Sequence, residues 1–253
     1  MLKIGLIVLV IVVIFIVAVY LAAGRLFNGM DKATDNPAAR ASGEGLVKNA
    51  EVVVVVGAHP DDLEYYTGGT EAVLTAAGKT VIGVLSADKS DEQEIRRAEA
   101  RKAAAILGYK PVFLGHPERE YEGGLTDTDK REIRQEIREI IEENGADTVI
   151  AYDYADQAPI YHHIDHIATG KEAQAAAAEA GVENVYLYSS GHPDTRVDIG
   201  SVTAKKSAAM AAHESQRDRR WIKTLRILLG WLRPGGSDSQ ERYFTNSESF
   251  RKL

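Results

Sequence analysis

Cysteine is absent from all 253 residues. That excludes disulfides, thiolate metal sites and a cysteine nucleophile, so any metal must be held by His, Asp or Glu. Positive charge is also in deficit: 30 Lys and Arg against 37 Asp and Glu leave a net charge of −7, which argues against a general nucleic-acid binder. No internal repeat is visible, which sets repeat architectures aside. Bulk disorder is excluded too, because 45% hydrophobic and 26% charged residues is the balance of a globular chain with a core. The length suits one large domain or two small ones.

The negative average hides an asymmetry. Between Arg217 and Arg233, six basic residues stand against the single acid Asp218, a local balance of +5 that leaves −12 for the rest. Such a block on an acidic protein points to a local anionic partner, a membrane surface being one candidate. Laid on a helix, Trp221, Leu225, Leu228 and Leu232 form one apolar stripe, with Arg219, Lys223, Arg226 and Arg233 on the other side. The pattern fits either a helix packed on a core or one lying in the headgroup layer, and the single sign of the charges favours the second.

Ile4 to Ala23 runs for twenty residues without a charge. As a helix it would span roughly 30 Å, the thickness of a hydrocarbon core. It exceeds the usual signal-peptide core of about 7–15 residues, so an uncleaved single-pass anchor is expected over residues 1–25. Arg25, Lys32 and Arg40 outnumber Lys3 across the flanks, which leans the C-terminal domain toward the cytoplasm. Residues 26–48 mix small and polar types without periodicity and read as a stalk, linker or loose helix.

From Val52 the pattern becomes regular. Val52–Val56 is a continuous β-branched run, expected of a strand buried on both faces of a parallel sheet. Shorter apolar runs follow at Val81–Leu85, Val112–Leu114, Thr148–Ala151 and Val185–Tyr188, with helical stretches at Thr70–Ala77, Glu92–Leu107, Asp127–Glu143 and Ala168–Ala180. This alternation predicts an α/β domain over 49–216, Rossmann-like and doubly wound with a mostly parallel sheet, preceded by the transmembrane helix and followed over 217–253 by the basic segment and a tail. In such folds ligands bind beyond the carboxyl ends of the strands.

Directly after the first run stands Ala58-His59-Pro60-Asp61-Asp62. A nucleotide site would place a glycine-rich turn there. A histidine and two adjacent acids instead call for a positive partner, and a divalent cation is the obvious one. Beyond the fourth run comes Tyr161-His162-His163-Ile164-Asp165-His166, where separations of three and four set His163 or His162 beside His166 on one helical turn. Both clusters fall on the same edge of the sheet. His192-Pro193-Asp194 repeats the first motif only superficially and reads as a turn.

These residues resemble the PIG-L/LmbE-type zinc N-deacetylases. The likeness rests on AHPDD at Ala58–Asp62, Gly68-Gly69-Thr70, Arg96-x-x-Glu99 before Ala-Ile-Leu-Gly, His163-x-Asp165-His166, and then Asp198-Ile199, Lys206 and His213-Glu214-Ser215-Gln216. It covers roughly Val52 to Gln216. The resemblance implies that His59, Asp62 and His166 bind zinc or another divalent metal, that Asp61 is the general base, and that His163 stabilises the developing oxyanion. Gly115-His116-Pro117-Glu118 puts Glu118 where the family usually offers an Asp to the substrate. Arg96 is either a substrate contact or half of an ion pair with Glu99. The activity implied is removal of an acetyl group from an N-acetylglucosaminyl unit, with the anchor favouring a lipid-linked carrier and membrane lipids as partners. A metal-dependent phosphoesterase and a non-catalytic sugar-binding module remain as alternatives.

Overall fold

The computed structural model describes residues 36–119, 123–156, 163–217 and 247–253. The apolar run Ile4–Ala23 lies outside the described residues, as do His162 and the stripe Trp221–Arg233. Among the described residues no helix is long and apolar enough to cross a membrane.

The chain runs through α1 (Pro37–Asn49), β1 (Val52–Gly57), the short α2 (Asp62–Tyr66), α3 (Gly68–Ala76), β2 (Thr80–Lys89), α4 (Gln93–Leu107), β3 (Lys110–Pro117) and α5 (Asp127–Asn144). It continues with β4 (Thr148–Tyr152), α6 (Ile164–Glu179), β5 (Asn184–Tyr188), β6 (Thr195–Asp198), α7 (Thr203–Ala211), α8 (Glu214–Arg217) and β7 (Ser247–Lys252). One seven-stranded sheet forms in the order β3-β2-β1-β4-β5-β7-β6. All pairs are parallel except those of β7, which runs antiparallel to both β5 and β6. The expected α/β architecture with a mostly parallel sheet is what forms.

The valine run explains the centre. Side chains alternate across a strand, so Val53 and Val55 enter one core layer with Leu63, Leu74, Leu107 and Tyr109. Val54 and Val56 enter the other with Ile133, Ile137, Ile141, Ala173 and Ala176. On α5 those isoleucines, four apart, form a buried stripe, each contributing about 1.5–3 kcal/mol by burial. Thr126 and Asp129 close that helix with a reciprocal capping box, and Gly145 ends it at φ 60°. Across the sheet, a Cβ on Gly170 would come within 2.6 Å of the Tyr152 carbonyl oxygen, so a glycine is what lets α6 lie directly on β4.

Two boundaries differ from the sequence reading. The stalk expected over 26–48 is, from Pro37 on, a packed helix. Asn36 Oδ1 caps it by accepting from Ala39 N at 2.9 Å, and Ala39 and Leu46 are buried. A Cβ on Gly43 would sit 1.9 Å from the Arg196 carbonyl oxygen, so α1 lies backbone to backbone against β6. At the other end the expected tail contains β7, inserted between β5 and β6. Glu248 on β7 accepts from Gly69 N and Thr70 N at 2.9 and 2.7 Å, capping α3, and pairs with buried Lys206. As expected, His192-Pro193-Asp194 joins β5 to β6 without regular structure.

The topology fixes where a site can form. From β1 the chain winds outward through β2 and β3, then returns to add β4 on the other side of β1. Strand order reverses between β1 and β4, and the crevice beyond their carboxyl ends is where ligands bind in such sheets.

Candidate metal centre

The loop after β1 is a tight turn stitched by its own acid. Asp62 Oδ2 accepts from Ala58 N at 3.0 Å and His59 N at 2.8 Å, while Asp62 N donates to His59 O. This turn forces Asp61 to φ 127°, a conformation that is strained for a residue with a Cβ. The strained residue is the one that faces the cleft, with 37% of its side chain exposed. Asp62, one position on, is buried.

From β4 the chain re-enters as α6, with His163 as N-cap: its Nδ1 accepts from Asp165 N at 3.3 Å. His166, in the first turn, then points back at the β1 loop. His59 Nδ1 lies 3.2 Å from His166 Nε2, His166 Nε2 lies 3.1 Å from Asp62 Oδ2, and His59 Nδ1 lies 3.8 Å from Asp62 Oδ2. Bonds of about 2.0–2.2 Å to a tetrahedral zinc ask for such donor separations. Two ring nitrogens and a carboxylate oxygen converging where all three residues are buried fit a divalent cation. His163 stacks on His166 with centroids 4.6 Å apart, and one nitrogen from each of His59, His163 and His166 falls within 4.8 Å of the others.

A second ring of partners orients these donors. His59 Nε2 donates to Asp165 Oδ2 at 3.3 Å, so Nδ1 presents its lone pair to the centre. Asp165 is wholly buried and its Oδ2 also accepts from Arg119 N at 3.0 Å. Tyr152, at the end of β4, packs edge-on to His166 at 5.4 Å, and Tyr66 does so at 6.1 Å while stacking on Tyr188.

The electrostatics separate the two adjacent aspartates. Burial would raise the Asp62 carboxyl, but the charge and hydrogen bond of His166, with His59 behind it, hold it well below the usual range. Hydration lost within the cleft, although one face of the carboxyl stays open, and the neighbouring Asp62 charge push Asp61 up to about 7, with Arg96, His213 and His59 opposing the rise. Burial would lower His59, but Asp165 and Asp62 raise it.

Of the candidate site residues, His59, Asp61, Asp62, Arg96, Glu118, His163 and His166 are brought to this edge. Arg96 sits beside Asp61, with Nη2 3.8 Å from its Oδ1 and 3.1 Å from Pro60 O, and its Nη1 pairs with Glu118. Glu118 is therefore the acid that Arg96 holds. Glu99 faces elsewhere and accepts from Ser215 N and Oγ at 2.7 and 2.6 Å. His213, from the same closing motif, donates through Nε2 to buried Glu64 at 3.1 Å, behind the Asp61 turn. Sequence reasoning gave no role to Asp165, although it stood inside the quoted motif. The tyrosines at the carboxyl ends of β4 and β5 carried the only signal for the aromatic wall.

Residues 54–177 match the family model PIG-L, described as GlcNAc-PI de-N-acetylase. The chain is similar to a diacetylchitobiose deacetylase of Thermococcus kodakarensis, 30% identical over 195 residues that cover 65% of this chain and 69% of the relative. It is also similar to a probable N-acetyl-alpha-D-glucosaminyl L-malate deacetylase 2 of Bacillus anthracis, 27% identical over 67% of this chain and 83% of that one. Among solved structures, the N,N'-diacetylchitobiose deacetylase of Pyrococcus horikoshii, complexed with its inhibitor MPG, superposes with a TM-score of 0.64 at 25% identity, covering 83% of this chain and 86% of the other.

Proposed function

This chain belongs to the PIG-L family of de-N-acetylases, and from that premise we propose that it removes the acetyl group from an N-acetylglucosaminyl unit carried on a lipid. The chain is a zinc-dependent N-deacetylase. The observation that carries the reading is the triangle of His59 Nδ1, Asp62 Oδ2 and His166 Nε2, with edges of 3.1 to 3.8 Å, beside an Asp61 carboxylate open to the cleft.

In this reading His59, Asp62 and His166 hold the zinc, which when bound polarises the amide carbonyl and makes water a nucleophile near neutral pH. Asp61 takes the proton of the attacking water and hands it to the departing amine. Its partial exposure lets it reach the reacting atoms. His163 accepts at Nδ1 from its own helix and so carries its proton on Nε2, which donates to the oxygen that becomes negative as the amide is attacked. Glu118, held by Arg96, accepts from sugar hydroxyls. The products are acetate and a free amino sugar.

The named relatives act on N-acetylated glucosamine compounds, which supports that substrate class. The lipid carrier and the membrane are supported by the sequence: the apolar run Ile4–Ala23 is long enough to span a bilayer, and the basic stretch Arg217–Arg233 suits an anionic headgroup layer. The flanking charge favours a catalytic domain on the cytoplasmic side. The test is to incubate the zinc-loaded chain with a panel of N-acetylglucosaminyl lipids and nucleotides and to read free amine. Release from the lipids ahead of the nucleotides is the expected result, and release from neither sinks the reading.

A further inference from the structure

A second set of metal-binding side chains lies outside the centre, and the chemistry above gives it no part. His116 stands at the carboxyl end of β3. Asp129, Glu132 and Glu136 follow at intervals of three and four along α5, on one face of that helix. One donor atom from each of His116, Asp129 and Glu132 falls within 4.8 Å of the others. None of them belongs to the zinc triangle.

The hydrogen bonds leave these donors open. His116 Nε2 donates to Glu136 Oε2 at 2.9 Å, so Nδ1 is the nitrogen with the lone pair. The His116 side chain is only 9% exposed, yet Nδ1 makes no hydrogen bond among the described residues and lies 3.9 Å from Asp129 Oδ1. The two oxygens of Asp129 divide their roles. Oδ2 accepts from Thr126 N and Oγ1 at 2.9 and 2.6 Å and is approached by Arg119 Nε at 3.5 Å, whereas Oδ1 is the oxygen turned to His116. Glu132 is exposed and makes no hydrogen bond or ion pair among the described residues. A buried imidazole held through its far nitrogen by a carboxylate, with its near nitrogen facing uncommitted acid oxygens, has the form of a metal-ligating histidine.

We propose that His116 Nδ1, Asp129 Oδ1 and a Glu132 oxygen bind a second zinc ion, with Glu136 as the partner that fixes the histidine tautomer. One imidazole and two carboxylates suit a borderline divalent metal and offset its charge, and three protein ligands leave a position for water. The exposed Glu132 makes this site weaker than the first. It fills only in excess zinc and desalting empties it, so metal content measured after desalting reports the first centre alone. A metal here clamps the end of β3 to α5. It also borders the support of the first centre, because Arg119 N donates at 3.0 Å to Asp165 Oδ2, the oxygen that orients His59.

The experiment counts zinc and needs no substrate, so failure of the deacetylase reading leaves it intact. The full chain in detergent is stripped with chelator and brought to equilibrium dialysis against excess zinc, with bound metal read by atomic emission. Wild type should hold two zinc ions per chain, His166→Ala one, and His166→Ala combined with His116→Gln none. In the His166→Ala background, Glu136→Gln removes no ligand but removes the charge that holds the His116 proton. It should weaken zinc binding about 10–100-fold, as loss of an outer partner does. Circular dichroism checks that each variant is folded. Should His116→Gln fail that check, Glu132→Gln at its exposed position carries the test, and should weaken binding at least as much as Glu136→Gln. A wild-type chain that holds one zinc overturns the site, and His116 is then an imidazolium neutralised by its acids. So does a zinc in His166→Ala that is indifferent to both Glu132→Gln and Glu136→Gln, which marks an adventitious ion only, bound elsewhere on the surface, as at exposed His192 beside Asp156.

Discussion

Asp165 Oδ2 accepts a hydrogen bond from His59 Nε2 at 3.3 Å across 106 residues of sequence. The bond fixes which nitrogen of His59 keeps its proton and therefore which one faces the metal. Asp165→Asn keeps the size of the side chain but removes the charge that favours that tautomer. Zinc affinity, measured by competition with a chromogenic chelator, should drop about 10–100-fold, the usual effect of losing an outer partner of a histidine ligand. Unchanged affinity would mean that packing alone orients His59.

Adjacent aspartates with opposite burial should behave differently when neutralised. Asp61→Asn should retain zinc and lower kcat by roughly 10²–10⁴, the range for general acid–base catalysis. Asp62→Asn and His166→Ala should instead lose the metal, because each removes a corner of the donor triangle. His163→Ala should reduce turnover with zinc retained. Metal content by atomic emission beside kcat separates these outcomes, and zinc lost from Asp61→Asn but kept by Asp62→Asn would reverse the assignment.

Much of this was legible in the residues. Five consecutive valines can be satisfied only between two helical layers, so the central strand and its parallel neighbours followed from Val52–Val56. The two donor clusters came together because they follow the strands between which the sheet order reverses. What was not legible depends on distant partners. Ala39, Gly43 and Leu46 make a weak apolar stripe, and their value lies in the close approach they permit to Arg196, some 150 positions away. The strand Ser247–Lys252 reads as polar because Glu248 is neutralised by Lys206 and Arg251 by Asp153 at 2.7 Å, contacts with no local signal. The pairing of Arg96 with Glu118 instead of Glu99 likewise needed the end of β3 in place.

The docking of α1 can be tested at its narrowest point. A Cβ on Gly43 meets a backbone carbonyl of β6, which cannot swing aside as a side chain would. Gly43→Ala should destabilise the domain by about 1–3 kcal/mol, the usual penalty for overpacking, even though alanine is the better helix former. Gly45, where an added methyl would meet no atom nearer than 3.9 Å, is the control: Gly45→Ala should be neutral or stabilising by up to about 1 kcal/mol. Chemical denaturation reads both, and equal effects would mean that α1 is not held against β6 in solution.

A last prediction concerns an acid that the proposed chemistry does not use. Glu71 on α3 is fully buried; its Oε1 accepts from Thr67 Oγ1 at 2.8 Å while Oε2 has no partner. Burial, and then the nearby charge of Glu64, push its carboxyl well above the usual range, with Glu248 adding to the rise and Thr67 and Lys206 opposing it. In the unfolded chain the same group ionises near pH 4.3, as a free glutamate does at about that value. Above that pH unfolding releases a proton that the folded state retains. Stability from this group is therefore complete at low pH and is lost as pH rises toward the folded value, at up to about 1.4 kcal/mol per pH unit. Glu71→Gln has the shape of the protonated acid and no proton to lose. Melting temperatures taken at fixed zinc from pH 5 to pH 8 should diverge, with the variant gaining on wild type at each step. Parallel curves would show that Glu71 is ionised in the folded protein, its charge balanced by Lys206 within the buried cluster.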